Sequence, residues 1–259
     1  MKHGNDSVRA KKHLGQHFLK DESIAADIAD ALEYFPGRKV LEVGPGMGVL
    51  TQFLLKRNFD LTVVEIDYES VPYLKKHFPQ LENRVIEGDF LKLDLSALLD
   101  NTSAVAGNFP YNISSQILFH CLSHKEVVQE ITGMFQKEVA ERITARHGNK
   151  SYGIITVLLQ SYYTCEYLFT VHEHVFSPPP KVKSAVIRLR RIENAELPVP
   201  YEYFSNLVKT AFNQRRKTLR NALKPVIAGR EFSHPFLDLR AEQLSVSDFH
   251  QLASVLYSL

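Results

Sequence analysis

Residues 39–55 constrain the fold of this chain more than any other stretch. Lys39–Val43 is an apolar run typical of a buried parallel strand, residues 44–48 form the glycine turn Gly-Pro-Gly-Met-Gly, and residues 49–55 carry apolar side chains at helical spacing. A strand, a glycine turn and a helix in this order form the first unit of a Rossmann-like sheet. We therefore predict an α/β fold.

The glycine turn also predicts a ligand site. Gly44 and Gly46 allow the backbone to approach a ligand closely, and the helix that follows offers its N-terminus. The spacing is G-x-G-x-G rather than the G-x-G-x-x-G of a dinucleotide site, which disfavours a dinucleotide oxidoreductase. The acidic Glu42 just before the glycines suits a ligand with a cationic amino-acid part, such as S-adenosylmethionine.

Polar residues end the next predicted strands along the chain. Glu65 follows one strand at the spacing where an acidic side chain takes ribose hydroxyls, and Asp89 follows another, placed to accept from an adenine amino group. A single acidic residue after a strand is more often a helix cap or a solvated turn. Because Gly44, Glu65, Asp89 and Asn108 end four consecutive strands, we expect them to share one site.

The tetrapeptide Asn108-Phe109-Pro110-Tyr111 predicts the chemistry of that site. The Asn108 side-chain oxygen and the backbone carbonyl before or at Pro110 can each accept a hydrogen bond from an exocyclic amino group, while the proline prevents a helix just before it. Two such acceptors favour the pyramidal, nucleophilic form of an adenine N6, and Tyr111 offers a flat face for the base. The alternative is an ordinary turn.

Together these segments resemble the ribosomal RNA adenine dimethyltransferases, most closely the bacterial small-subunit type. The resemblance runs from residues 11–19 to the C-terminus and includes residues 133–142, 175–182 and 211–220. It implies S-adenosylmethionine-dependent dimethylation of N6 on two neighbouring adenines, in a hairpin loop near the 3′ end of 16S rRNA, late in small-subunit biogenesis.

The resemblance also implies residue roles. Asn108, Pro110 and Tyr111 would be catalytic, and Phe176 would stack on the target adenine from the side opposite Tyr111. The expected cofactor-binding residues are His17, Leu19, Gly44, Gly46, Glu65, Asp89 and Asn108. The chain departs from the common family pattern at His17, where the family often has Asn, and at Phe109, where Leu or Ile is usual. We expect Phe109 to act as an apolar filler, and a contact made by His17 to depend on pH.

Basic residues are unevenly distributed, although the formal net charge is only +2. Residues 1–20, 181–191 and 209–230 carry five, five and seven Lys or Arg, against one Asp in all three. Each tract alone is typical of a solubilising surface, but three of them predict a rim that binds phosphates. The expected RNA-binding residues are Lys11, Lys12, Lys181, Lys183, Arg215, Arg216, Lys217 and Arg220.

The order of elements predicts two domains. Strands near residues 39–43, 61–65, 84–87, 104–107 and 131–135 alternate with helices, and a pair near 162–170 and 184–190 should add an antiparallel strand. We expect an S-adenosylmethionine-dependent methyltransferase domain over residues 1–192, beginning with a basic segment over 1–20. A small all-helical RNA-binding domain should follow over residues 193–259.

Composition predicts the setting. The two cysteines show no metal or disulfide spacing, and no apolar stretch predicts a signal peptide or a membrane span. We expect a cytoplasmic monomer that binds no metal and acts on 16S rRNA within the small subunit. Two alternatives stay open: a large-subunit rRNA methyltransferase of the macrolide-resistance type, and a ribosome-assembly factor that binds RNA without catalysis.

Overall fold

A computed structural model describes residues 8, 10–33, 35 and 37–259. Its strands are β1 (Phe18–Leu19), β2 (Lys39–Val43), β3 (Asp60–Glu65), β4 (Val85–Glu87), β5 (Ser103–Asn108), β6 (Val128–Gln136), β7 (Tyr163–Val171), β8 (Phe176–Ser177) and β9 (Ser184–Arg191). Its α-helices are α1 (Glu22–Ala31), α2 (Thr51–Lys56), α3 (Ser70–His77), α4 (Leu95–Leu98), α5 (Ser114–Ser123), α6 (Lys137–Ile143), α7 (Ile154–Gln160), α8 (Tyr201–Asn213), α9 (Leu219–Ala222), α10 (Lys224–Ile227) and α11 (Val246–Tyr257).

The main sheet has the strand order β4-β3-β2-β5-β6-β9-β7. The first five strands in this order, β4 to β6, are parallel to one another. Strand β9 pairs antiparallel to β6. The predicted α/β fold with a mostly parallel sheet and an added antiparallel strand is confirmed. The strand order reverses direction at β2, which opens a crevice at the carboxyl ends of the central strands.

The register of the parallel pairs brings the predicted site residues to one edge. Val43 lies opposite Val64, Glu65 opposite Glu87, and Asn108 opposite Met134. Strands β2 and β5 are almost wholly buried, as expected for parallel strands covered on both faces. The burial of β2 ends at the glycine turn, and the burial of β5 ends at Asn108.

The helix ends show where local patterns were incomplete. Asp21 caps α1 by accepting a hydrogen bond from the Ser23 N–H at 3.0 Å, and α1 ends at Ala31 although apolar residues continue at helical spacing to Phe35. Leu32 instead turns to an extended conformation and is buried in the core. The amphipathic pattern over residues 136–147 likewise continues past the end of α6 at Ile143.

The chain forms two compact units. The first comprises Met1–Ala140 and Glu166–Arg191, and the second comprises Glu141–Cys165 and Ile192–Leu259. The C-terminal part of the second unit begins within one residue of the predicted start of the helical domain, and this unit also contains α7. The assignment of catalysis and RNA binding to separate domains stays a prediction.

The second unit has its own helical core. Phe204, Leu207, Phe249 and Leu252 from α8 and α11 are almost completely buried. Ser245 caps α11 by accepting from the Asp248 N–H at 3.1 Å, and the Asp248 side chain accepts from the Ser245 N–H in return. The two bonds form a capping box at the start of the last helix. Within the described part of the chain, every helix is too short or too polar to cross a membrane.

Candidate active site

The glycine turn after β2 forms one wall of a cleft. Gly44 and Gly46 have φ angles of 67° and 56°, a region that favours glycine because other side chains are strained there. The Gly44 N–H donates to the Val64 carbonyl at 2.9 Å, which anchors the turn to β3. A Cβ on Gly46 would lie 2.8 Å from the Phe18 ring, so a side chain at that position would displace a wall residue.

Glu65 is fixed beside this turn at the end of β3. Its Oε2 accepts from the Gly46 N–H at 2.9 Å and its Oε1 from the Asp67 N–H at 2.8 Å. Burial raises the pKa of Glu65, although both backbone hydrogen bonds oppose this rise by favouring the charged form. Each carboxylate oxygen has a further lone pair. Glu65 can therefore accept from a pair of ligand hydroxyls without losing its backbone partners.

Asp89 lies at the end of the next parallel strand and is partly buried. Its Oδ1 accepts from the Leu91 N–H at 3.0 Å, so it caps the short 3-10 helix Phe90–Lys92. Capping and ligand binding are compatible here, because a carboxylate has two oxygens. The sequence leaves two roles for Asp89, a helix cap or an acceptor for adenine. In the structure Asp89 caps the 3-10 helix and also lines the cleft.

The cleft has a volume of about 700 Å³ and is open to solvent. Most predicted cofactor-binding and catalytic residues meet in it, together with neighbours that sequence reasoning did not select. Its lining consists of Leu14, Gly15, Gln16, His17, Phe18, Val43, Gly44, Gly46, Val64, Glu65, Ile66, Gly88, Asp89, Phe90, Asn108, Phe109, Pro110, Tyr111 and Ile113.

Asn108 is oriented by the backbone of the N-terminal segment. Its Nδ2 donates to the His17 carbonyl at 3.0 Å. An amide that donates in one direction presents its oxygen in another, so this bond determines where the Asn108 acceptor points. The Pro110 carbonyl already accepts from the Ile113 N–H at 3.2 Å in a turn. Of the two carbonyls predicted as second acceptor, the geometry favours that of Phe109.

Phe109 fills space behind the acceptors. Its side chain is 1% exposed and its ring lies 4.9 Å from that of Phe135. A Cβ on Gly107 or Gly133 would come within 3.0 Å of the Phe109 ring, so these two glycines make the room for it. The prediction of an apolar filler at this position is confirmed.

Tyr111 is held at both ends of its side chain. Its hydroxyl shares a hydrogen bond with the hydroxyl of Ser184, at the start of β9. Burial raises its pKa, and the bond to Ser184 opposes that rise. The His17 ring stacks on Tyr111 with centroids 5.6 Å apart and an interplanar angle of 25°. His17 Nδ1 lies 2.8 Å from the Pro178 carbonyl, which can only accept, so this nitrogen carries a proton.

The structure does not bring Leu19 and Phe176 into the cleft lining. They pair in the antiparallel strands β1 and β8, and their side chains are 5% and 1% exposed within the hydrophobic core. The stacking of Phe176 on a base stays a prediction, and it requires this ring to leave its present position. The contact of Leu19 with a cofactor likewise stays a prediction.

Glu42 differs from its expected position near a cationic ligand. It is 1% exposed, does not line the cleft, and its Oε2 accepts from the Thr51 hydroxyl at 2.7 Å. Burial raises its pKa to about 8, with the Thr51 bond opposing this rise. Glu42 lies opposite Val63, so it shares the sheet face of Glu65 but lies farther from the carboxyl ends of the strands. Its partner in the structure is Thr51, and contact of this carboxyl with a cationic ligand stays a prediction.

The predicted RNA-binding residues fall into two groups. Lys12, Lys181, Lys183, Arg216 and Lys217 are exposed to solvent. Lys11, Arg215 and Arg220 are exposed or partly exposed but already bind within their own unit: Lys11 pairs with Asp67, Arg215 donates to the Lys150 and Tyr152 carbonyls, and Arg220 pairs with Asp238. Contact with RNA stays a prediction for all eight.

Some cleft residues were not selected from the sequence. Gln16 and Phe18 come from the N-terminal segment, and Ile66 is a 53% exposed apolar side chain between two buried carboxylates. Their signal is weak, because it is only an apolar or amide residue next to a predicted site residue. Ile66 is suited to cover the flat face of a ligand ring whose hydroxyls reach Glu65.

Three comparisons with known proteins show what this chain is similar to. The family model described as "Ribosomal RNA adenine dimethylase" matches residues 7–257. A ribosomal RNA small subunit methyltransferase A from Cytophaga hutchinsonii is 58% identical over 254 residues, covering 97% of this chain and 98% of that protein.

Two solved structures extend the likeness. A dimethyladenosine transferase from Plasmodium falciparum superposes with a TM-score of 0.77 at 26% identity, covering 93% of this chain and 97% of that one. The 23S rRNA methyltransferase ErmE superposes with a TM-score of 0.66, also at 26% identity, covering 90% and 98%. The fold and the family thus extend along nearly the whole chain.

Proposed function

The chain belongs to the ribosomal RNA adenine dimethylase family, and from this premise we propose its reaction and substrate. It is an rRNA adenine dimethyltransferase that uses S-adenosylmethionine as methyl donor. Its target is the N6 amino group of two neighbouring adenines in a hairpin loop near the 3′ end of 16S rRNA. It acts in the cytoplasm, as a monomer, on a late intermediate of the small ribosomal subunit.

The residues present in the cleft fit this methyl donor. Glu65 has acceptors for ribose hydroxyls, Asp89 has an acceptor for an adenine amino group, and the Gly44 and Gly46 backbone allows close approach. Ile66 supplies an apolar surface between these polar groups.

The donor supplies a methyl group on a positively charged sulfur, so the transfer needs no metal ion and no covalent intermediate with the protein. The protein positions the adenine N6 in line with that methyl. Asn108 Oδ1 and the Phe109 carbonyl accept the two N6 hydrogens, which concentrates the nitrogen lone pair toward the methyl. The N6 proton leaves to water after transfer, because neither of these acceptors is a strong base.

A single observation carries the proposal. The Asn108 amide lines the same cleft as Glu65 and Asp89, and its donor side is occupied by the His17 carbonyl at 3.0 Å. That bond fixes which end of the amide is the nitrogen, so the other end presents an oxygen that can accept. Such an acceptor is what an exocyclic amino group needs.

Small-subunit rRNA is favoured over large-subunit rRNA by the degree of likeness. Relatives that are 53–58% identical are named small subunit methyltransferases, whereas the 23S rRNA methyltransferase ErmE is 26% identical. A loop adenine also suits this site, because it is partly unstacked before it binds and costs less to extrude than a paired base.

The test is methyl transfer to purified ribosomal subunits taken from cells that lack this protein. We expect labelled methyl groups from S-adenosylmethionine to enter two adjacent adenines of small-subunit rRNA, mapped by primer extension, and none to enter large subunits. Labelling of large subunits instead would favour the macrolide-resistance type.

An assembly factor without catalysis is separated by the same experiment. It would bind small subunits and transfer no methyl group. The Asn108→Ala variant serves as the control, since it should bind subunits and leave both adenines unmodified.

A further inference from the structure

The N-terminal segment is tied to a buried carboxylate beside the cofactor cleft. We call residues 11–18 the N-terminal clasp. The Lys11 ammonium lies 2.5 Å from Asp67 Oδ1, and Gln16 Nε2 donates to Asp67 Oδ2 at 3.1 Å. The Lys11 backbone N–H donates to Gln16 Oε1 at 2.7 Å, which closes the clasp into a loop. Asp67 is 1% exposed, and each of its oxygens is bound by one of these two side chains.

The same clasp builds part of the active site. Leu14, Gly15, Gln16, His17 and Phe18 all line the cleft. Its His17 carbonyl accepts from Asn108, and its His17 ring stacks on Tyr111. The clasp therefore reaches from the Asp67 end of the cleft to the residues assigned to the target adenine.

Close packing makes the position of the clasp specific. Gly15 has a φ of 66°, and a Cβ there would lie 2.5 Å from Asn112 Oδ1. On the other side, the Asp67 backbone N–H donates to Glu65 Oε1 at 2.8 Å. Asp67 thus contacts both the clasp and the carboxylate assigned to the ribose, and it transmits the position of one to the other.

We propose that Lys11 and Asp67 are positioning residues for methyl transfer, whose ion pair holds the N-terminal clasp closed over the cofactor cleft. The closed clasp places the His17 carbonyl where it orients Asn108, and it completes the wall against which the cofactor binds. This inference rests on the proposed function, and it assigns Lys11 to the cofactor site instead of the RNA-binding surface predicted from charge.

The surroundings of Lys11 favour this assignment. Its ammonium lies between Asp67 and Glu69, at 2.5 and 3.3 Å, and 4.0 Å from the centre of the Tyr68 ring. Burial alone would raise the pKa of Asp67, but the hydrogen bonds from Lys11 and Gln16 hold it below its ordinary value. Asp67 is therefore charged at neutral pH, and a charged buried carboxylate requires a partner.

The neighbouring Lys12 provides a matched control. It is exposed, it has the same charge, and it belongs to the same predicted basic tract. The experiment compares Lys11→Met, Lys11→Arg and Lys12→Met in the full-length chain. Binding of S-adenosylmethionine is measured by calorimetry on the protein alone. Methyl transfer to small subunits is then measured in a single turnover at saturating cofactor, and subunit binding is measured over a series of salt concentrations.

We expect Lys11→Met to weaken cofactor binding about tenfold. Loss of an exposed ion pair has almost no effect, whereas misplacing reacting groups costs about a hundredfold, and this partly buried pair should lie between the two. Its single-turnover rate should also fall at saturating cofactor, because Asn108 loses its fixed orientation. Lys11→Arg should restore most of both properties. Lys12→Met should keep the cofactor affinity of the parent chain and flatten the salt dependence of subunit binding.

The inference is overturned if Lys11→Met binds cofactor and transfers methyl groups like the parent chain while the salt dependence of subunit binding flattens. Lys11 would then be an RNA contact. If Lys11→Met does not fold, the milder Lys11→Gln decides by the same measurements. Failure of the parent chain itself to bind S-adenosylmethionine would overturn the proposed function, and this inference with it.

Discussion

The cleft at the strand ends and the basic segment, residues 215–220, were both predicted from side-chain type, yet their side chains are held differently in the structure. In the cleft, Glu65, Asp89 and Asn108 line one site, and each is oriented by a hydrogen bond to the backbone. In the basic segment, Arg215 and Arg220 bind within their own unit, and Arg216 and Lys217 extend into solvent.

The difference shows what each kind of pattern measures. A polar residue at the end of a parallel strand has its position set by the backbone of the sheet, because parallel strands end at a common edge. A basic residue in a turn has a long side chain whose direction is set by whichever acceptor lies near. Strand ends therefore predict sites, whereas runs of charge predict only surfaces.

The largest effect is expected at the acceptor of the cleft. Asn108→Ala should lower the rate of methyl transfer about 10²–10³-fold, because it removes one of the two groups that polarise N6 and leaves the His17 carbonyl without its donor. Binding of small subunits should be nearly unchanged. Single-turnover transfer at saturating cofactor measures this, and a rate like that of the parent chain would remove Asn108 from the chemistry.

A smaller effect is expected on the cofactor side of the same cleft. Glu65→Ala should weaken S-adenosylmethionine binding about 10–100-fold, since hydrogen bonds to a charged group contribute about 1.5–3 kcal/mol. The substitution also frees the Gly46 and Asp67 N–H groups. Calorimetry with the cofactor and subunit binding without it should respond differently. Equal losses in both would contradict the ribose role.

Glu42 is a buried carboxyl and Glu65, on the neighbouring strand, is a cleft carboxyl. The dependence of stability on pH should report on the buried one. The pKa of Glu42 is raised from 4.5 to about 8, mainly by burial. Its protonated form therefore stabilises the folded state fully below pH 4.5, and this contribution is lost as the pH rises to about 8.

The corresponding variant is Glu42→Gln. It should remove a slope of up to about 1.4 kcal/mol per pH unit from the unfolding free energy in that window. Urea unfolding at several pH values tests this, with the exposed Glu82→Gln as control. An unchanged slope in Glu42→Gln would mean that this carboxyl is ionised in the fold.

The smallest effects are expected in the basic segment, where pairs of substitutions separate solvated from bound cations. The salt dependence of subunit binding is the slope of log K against the logarithm of the salt concentration. Replacing Arg216 and Lys217 by Met should make this slope shallower by about 0.7–0.9 for each phosphate that is no longer neutralised. Replacing Arg215 and Arg220 should change that slope less. The Arg215 change should instead cost about 1 kcal/mol of stability, because it removes bonds to backbone carbonyls. Equal slopes for both pairs would indicate that internal binding does not keep these arginines from RNA.

Much of the cleft could be predicted because it follows from local order along the chain. The glycine turn, Glu65, Asp89 and Asn108 each lie directly after an apolar run, and the sheet then collects them. Phe176 and Leu19 were harder, because nothing in their local sequence shows that two strands of two residues would pair and bury them. Glu42 shares the sheet face of Glu65, and only packing shows that the Thr51 hydroxyl of α2 binds it short of the cleft.

The sequence alone was sufficient to determine the class of fold, the polar residues that end successive strands, and the family. It did so through the succession of apolar runs, glycine turns and amphipathic helices along the chain. The partners of individual side chains were determined by contacts between distant residues, such as Lys11 with Asp67, Tyr111 with Ser184 and Asn108 with His17. Periodicity reports how the backbone is covered, since burial repeats with the helix or strand. A hydrogen bond between remote residues depends instead on distances within a few tenths of an ångström, which arise only when the chain has packed.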